Sequence, residues 1–248
     1  MSNIVRVGRE IKFVNDATHR ANVVGDMLEK QNHFSDKFTD DTLSTDKWAV
    51  SVPGTSDTIA ISEVAGGECL ITTGTADNDS CMLSTPLIFS GSNYSAVEAR
   101  ILITDVSGCG VFFGFSDAKA ESNNSIAIHY VGDSLTTVAS DAVGFIIDAD
   151  SATLGASSIV LVSVANNSDG TPIDTGTDWA DGEVRTLRVE VDSSGNAAFW
   201  IDGVAVGAIA SAVTASDLLC GTIQAITRAN DGANTVRVRR VDAWADEV

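Results

Sequence analysis

Two carboxylates stand two residues apart in Glu190-Val191-Asp192, within a run whose apolar and polar residues alternate. On an extended strand, residues i and i+2 share a face, so both carboxyl groups project to the same side. Retaining cleavage of a glycosidic bond uses two carboxyl groups about 5 Å apart, one as nucleophile and one as acid/base. Hydrolysis is therefore the sharpest chemistry to weigh here. The plainer reading is two solvent-facing acids on an outer face.

Other chemistry-bearing residues are scattered. Asp77-Asn78-Asp79 and Asn166-Asn167-Ser168-Asp169 offer oxygen ligands in turn-like segments, as a hard cation needs. Asx-rich turns also form without metal, and no metal or other cofactor is assigned. Four tryptophans, Trp48, Trp179, Trp200 and Trp244, have ring faces on which sugars could stack. Trp200 lies in an apolar run and reads as core. Trp179 sits in the loop-like Thr175–Gly182 and is the candidate ligand platform, against the alternative of a loop tryptophan covering the core edge. His129 reads as a satisfied strand residue. Arg237, Arg239 and Arg240 form a dense basic cluster, read as pairing with an acidic surface, with partner docking as the minor alternative. No nucleophile elbow, phosphate loop or catalytic triad is present, so no catalytic residue is assigned.

The elements that must position these residues follow from composition. The 248-residue chain is 44% hydrophobic, with 3 prolines and a formal net charge of −19. It is long enough for one large sandwich with a full core. Such acidity argues against binding of naked nucleic acid or an anionic membrane. Four cysteines, Cys69, Cys81, Cys109 and Cys220, form no CxxC pair; Cys109 and Cys220 read as small buried hydrophobes, and a Cys69–Cys81 bridge has no support beyond the two thiols. Neither a signal peptide nor a run of 18 apolar residues appears, so synthesis in a cytoplasm is expected.

Charge is uneven along the chain. Residues 1–33 hold five positive and four negative groups, whereas the remaining 215 hold ten positive and thirty negative. Within this near-neutral arm, Ile4–Val7 and Ile11–Val14 are β-prone runs separated by Gly8-Arg9-Glu10, a hairpin pattern. Val14, Ala17, Ala21, Val24 and Leu28 then recur at steps of three and four, which predicts an amphipathic helix. A helix this short is marginal alone and needs a surface to pack on. Arg6, Arg9, Lys12 and that apolar stripe are the candidate assembly contacts.

From Phe34 onward, twelve strand-like segments recur between turn signals. They are 48–52, 59–64, 68–72, 95–104, 110–116, 125–130, 143–148, 158–165, 184–192, 197–201, 221–227 and 235–243. Leu187, Val189 and Val191 alternate with Arg188, Glu190 and Asp192, and Val236 and Val238 alternate with Arg237 and Arg239. Each is a strand with one buried and one wet face. Short strands without helical patterns predict an all-β, two-sheet antiparallel sandwich, with residues 1–33 as an arm and 34–248 as the domain.

Three segments carry a family resemblance. Phe34-Ser35-Asp36-Lys37-Phe38 through Leu43, with Trp48 after it, looks like the opening strand of concanavalin A-like lectin/glucanase domains. Leu187–Asp192 with Ala198–Gly203 resembles the late hairpin of that family, and Val236–Trp244 is similar to its closing strand. The resemblance implies a jelly roll. Glucanases of the family place their acids as Glu-x-Asp-x-Glu on one strand; here Ser194 stands where the second Glu would be. A leaderless, lysine-poor chain with such an arm also looks like bacteriophage virion proteins. The expectation from these readings is a non-enzymatic structural protein of a virus particle, a capsid decoration protein. It would dock through its arm on a major capsid or other virion protein as a homo-oligomer, a trimer being one form. The alternative is a carbohydrate-binding adhesin that takes surface glycans.

Overall fold

The alternation of apolar and polar side chains is realised as two stacked antiparallel sheets. The computed structural model describes residues 3–7, 10–14, 32–54, 56–122, 124–228 and 232–246. Strands β1 (Asn3–Val7) and β2 (Glu10–Val14) pair as the expected hairpin, with Glu10 opposite Val7 and so already part of the second strand. The predicted helix after Val14, with Ala17, Ala21, Val24 and Leu28, lies outside the described residues.

The body then runs β3 (Asn32–Asp36), β4 (Ala49–Ser51), β5 (Thr58–Ser62), β6 (Glu68–Thr72), β7 (Ser80–Ser84), β8 (Ser95–Ile103) and β9 (Cys109–Ser116). It continues through β10 (Ile128–Val131), β11 (Ser134–Thr137), β12 (Ala142–Asp148), β13 (Ser158–Ala165), β14 (Ser168–Asp169) and β15 (Ile173–Asp178). The last strands are β16 (Val184–Val191), β17 (Ala197–Ile201), β18 (Val204–Ile209), β19 (Cys220–Thr227) and β20 (Thr235–Ala245). Sheet I has the order β14-β13-β12-β9-β19-β7-β4, with β15 also on β13. Sheet II has the order β18-β17-β16-β8-β20-β6-β5, with β3 also on β20. Consecutive strands repeatedly fall in different sheets, as a jelly-roll sandwich requires, and the closing strand β20 lies beside the opening strand β3.

The main core fills the space between the sheets. Val97 and Ile101 of β8, Phe113 and Phe115 of β9, Val189 of β16 and Ile223 of β19 all meet there. Phe145 of β12 meets Phe199 of β17 edge to face at 5.3 Å, tying one sheet to the other. Each such side chain contributes roughly 1.5–3 kcal/mol by leaving water. The four cysteines are buried free thiols.

Sheet I is apolar on both sides. Its strands β12 (Ala-Val-Gly-Phe-Ile-Ile-Asp) and β13 (Ser-Ile-Val-Leu-Val-Ser-Val-Ala) are nearly continuous apolar runs rather than alternating ones. Such strands need a cover on each face. The β10–β11 hairpin and the segment before it supply the second one: Ile126, Ile128 and Tyr130 pack on Met82, Phe112, Ile146, Val160 and Val162. Sheet II, by contrast, alternates, and its outer face is polar. No helix among the described residues is long and apolar enough to cross a membrane.

Candidate functional site

The outer face of sheet I is filled by its own chain, whereas the outer face of sheet II carries rows of charged side chains among the described residues. Strand register sets out its pattern. Arg188 of β16 lies opposite Glu98 of β8, Glu98 opposite Asp242 of β20, and Asp242 opposite Ser35 of β3. One step along, Thr186 lies opposite Arg100, and Arg100 opposite Arg240.

A break in β20 makes this row. Its register on β8 shifts between Val238, which faces Ile101, and Arg240, which faces Arg100. Arg239 is the extra residue of this bulge, and a bulge re-aims side chains. Unbroken alternation would send Arg240 inward with Val236 and Val238. The extra residue instead leaves Arg237, Arg239 and Arg240 all partly exposed, and returns Val241 and Ala243 to the core. The bulge sits where β6 ends its pairing on β20 and β3 begins, so the sheet has a gap there. The result is a cavity of about 470 Å³ lined by Lys37, Glu68, Glu98, Arg100, Arg237, Arg239, Arg240 and Asp242, with Val64–Gly67 as its rim.

Buried acids hold the exposed arginines. Glu68, 2% exposed, accepts Arg237 Nη1 at 2.9 Å on one oxygen and Arg239 Nε at 3.2 Å on the other. Asp242 pairs with Arg240 and accepts the Ser35 hydroxyl at 2.7 Å. The basic cluster is thus ion-paired, as its neighbourhood in an acidic chain predicts.

The positions picked out from sequence fall elsewhere. Glu190 does face outward, but its carboxylate pairs with Arg188 Nε at 3.1 Å. Asp192 caps its own turn, accepting the backbone N–H groups of Ser194 and Asn196 and the Asn196 side chain, and these bonds hold its carboxyl below the usual range against the opposing effect of burial. Trp179 is corrected as a ligand platform: it is 1% exposed, lies in the main core, and donates its indole N–H to the Glu183 carbonyl at 3.1 Å. Its segment is strand β15, and the ring turns inward just beyond it. Trp200 is corrected in the other sense: it lies on the outer face of β17, half-buried, under the Arg188 guanidinium at 4.1 Å from the ring centre.

In both oxygen-rich turns side-chain oxygens bond within the protein itself. Asn78 Oδ1 accepts from Arg228, Asp79 Oδ2 accepts the Ala76 N–H, and Asp169 Oδ1 accepts the Thr137 hydroxyl. Among the described residues no group of three or more His, Cys, Asp or Glu is placed to hold a metal ion. His129 is buried and contacts the Ile126 carbonyl at 3.2 Å; burial and then the Arg228 charge push its pKa down. Reasoning from sequence missed the Glu98–Asp242 pairing, because the two residues are far apart in the chain and neither belongs to a motif.

No protein-family model matches the sequence, and no curated protein matches it. Solved structures do share the fold. A glycoside hydrolase family 16 endo-glucanase from Bacteroides ovatus is 12% identical, with a TM-score of 0.59 over 85% of this chain and 99% of its own. A Bacillus licheniformis β-glucanase is 11% identical, with a TM-score of 0.58 over 87% of this chain and 99% of its own. The Emp47p carbohydrate recognition domain is 14% identical, with a TM-score of 0.57 over 87% of this chain and 95% of its own. These establish the jelly-roll sandwich fold. They also overturn the expected non-enzymatic capsid decoration role. The similar structures include glycoside hydrolases and carbohydrate recognition domains, and the reading of the chain as lacking enzymatic activity is set aside with it.

Proposed function

We propose that this chain recognises carbohydrate, holding a saccharide in the pocket on the outer face of sheet II. The observation that carries the reading is the direct pairing of Glu98 with Asp242 inside that pocket, flanked by Arg100 and Arg240. Saccharide hydroxyls both donate and accept. Carboxylates take their protons and guanidinium groups supply the complementary donors. A cavity of this size with a few fixed polar groups matches a small-molecule site. The structures that share its fold, an endo-glucanase and a carbohydrate recognition domain among them, point the same way.

The same pair supports a second reading, hydrolysis. Residues directly opposite on antiparallel strands are close neighbours on one face, and retaining cleavage needs two neighbouring carboxyl groups. In this reading Asp242, fixed by Ser35 and Arg240, is the stationary carboxylate, and the more accessible Glu98 is the proton donor. One experiment separates the two. The whole chain is titrated with a panel of oligosaccharides while release of reducing ends is followed. Binding without release that Glu98→Gln weakens supports recognition alone. Release that Glu98→Gln or Asp242→Asn abolishes, with binding retained, supports hydrolysis. Binding to no saccharide in the panel sinks both.

A further inference from the structure

We infer that the pocket is selective for anionic saccharides, those bearing a carboxylate or sulfate group, over neutral ones. This rests on the carbohydrate reading above and deepens it. The chain carries 15 lysines and arginines and a net charge of −19, yet five of those cations, Lys37, Arg100, Arg237, Arg239 and Arg240, line this one cavity. Three acids share it, Glu68, Glu98 and Asp242, so the lining is net positive in a strongly negative protein.

The layering of charge strengthens the point. The side chains of Glu68 and Asp242 are 2% and 3% exposed, whereas those of Arg237, Arg239 and Arg240 are 41%, 42% and 40% exposed. The acids lie underneath and the guanidinium groups above them, so a ligand meets positive charge first. A guanidinium has five N–H donors. The ion pairs use only Nη1 of Arg237 and Nε of Arg239 and Arg240. The remaining donors suit the planar, two-oxygen geometry of a carboxylate or the oxygens of a sulfate. Glu68 also fixes two of these side chains in advance, which lowers the ordering cost of binding.

Cross-strand pairing gives an independent sign of the same kind. Arg100 and Arg240 lie directly opposite each other, and like charges in that position are destabilising. Neither Arg100 nor Lys37 has an ion pair among the described residues. An anion seated between Arg100 and Arg240 would relieve that repulsion, and a neutral sugar would not. The acidic surface elsewhere repels long polyanions at a distance, so a short saccharide with one or two charges fits best.

The test is calorimetric titration of the whole chain with trigalacturonate, a 6-sulfated disaccharide and cellotriose at low and high sodium chloride. Binding of one charged probe but not cellotriose is expected, weakening with salt. Arg100→Ala and Lys37→Ala, each checked for an unchanged melting temperature, should weaken it about tenfold, the scale of one lost charge-assisted contact. Preference for trigalacturonate assigns the carboxylate and preference for the sulfated probe assigns sulfate. Equal or tighter binding of cellotriose overturns the charge selectivity while leaving carbohydrate recognition standing. Charged-probe binding indifferent to both variants overturns the pocket assignment, and binding of none of the three overturns the underlying reading as well.

Discussion

Arg228 and Asp148 meet through two parallel hydrogen bonds, Nε to Oδ1 at 2.8 Å and Nη2 to Oδ2 at 2.7 Å, with both side chains at most 1% exposed. The pair does more than neutralise itself. Arg228 Nη2 also donates to the Tyr130 carbonyl at 2.9 Å, and Asp148 Oδ2 accepts the Tyr130 N–H at 2.8 Å. Both backbone polar groups of Tyr130 are thereby satisfied by one ion pair, which pins the β10–β11 hairpin over the apolar outer face of sheet I. Removing one member of a buried pair leaves the other charge stranded and costs about 3–5 kcal/mol. Arg228→Ala is expected to lose that much in urea unfolding and to become cleavable between residues 117 and 139. Arg228→Met with Asp148→Leu should recover only part, because the Tyr130 N–H and carbonyl lose these partners. A single variant as stable as the parent would show that the clamp contributes little.

Trp179 belongs to the core rather than to a binding surface. Trp179→Ala is expected to cost roughly 3–5 kcal/mol, the usual range for removing a large buried aromatic. Trp179→Phe should cost less and leave saccharide affinity unchanged once the folded fraction is corrected for. Loss of affinity in the folded Trp179→Phe protein would mean that this ring does reach ligand.

Glu121 should make stability depend on pH. Burial, with a smaller contribution from the neighbouring Asp117 charge, pushes its carboxyl up to about 7 from 4.5, and its Oε1 is buried without a hydrogen-bond partner. The folded state therefore holds this proton more tightly than the unfolded chain does. The stabilisation is fully present below pH 4.5 and is lost as pH rises through 7. Allowing for the partial exposure of the side chain, the change is on the order of 1–2 kcal/mol. Glu121→Gln is expected to match the parent at pH 4 and to exceed its stability at pH 8. Parallel stability curves for the two proteins across that range would refute the assignment.

Two adjacent glycines on the pocket rim should respond differently to the same change. Both have positive φ, +96° at Gly66 and +75° at Gly67. A Cβ at Gly66 meets nothing within 4 Å, while at Gly67 it would come within 2.2 Å of the Lys37 carbonyl oxygen and 2.5 Å of that of Phe38. Gly66→Ala is expected to cost about 1 kcal/mol from backbone conformation alone. Gly67→Ala must also push the rim away from Lys37 and Phe38, just past the end of β3, so it should cost more and weaken saccharide binding. Thermal melts and titrations of the two variants, compared side by side, check both statements; equal effects would exclude the close approach as the cause.

All twelve strand segments expected from the sequence are present within a few residues, because alternation, or a short apolar run between turn residues, is set by neighbours along the chain. The strands not expected there lack that signal. Strand β7, Ser-Cys-Met-Leu-Ser, is buried throughout, and β18, Val-Ala-Val-Gly-Ala-Ile, is exposed or half-buried along its length, so neither shows an inside and an outside. The sequence by itself also determined the sandwich class, the acidic character of the body and the ion-paired nature of the Arg237–Arg240 cluster. Only the tertiary structure decided which sheet the β10–β11 hairpin covers, where Trp179 and Trp200 point, and which charges share a pocket. One extra residue at Arg239 reverses the facing of everything after it, and the meeting of Glu98 with Asp242 depends on strand order across the sheet. Facing and strand order arise from contacts between distant segments, which local periodicity does not encode.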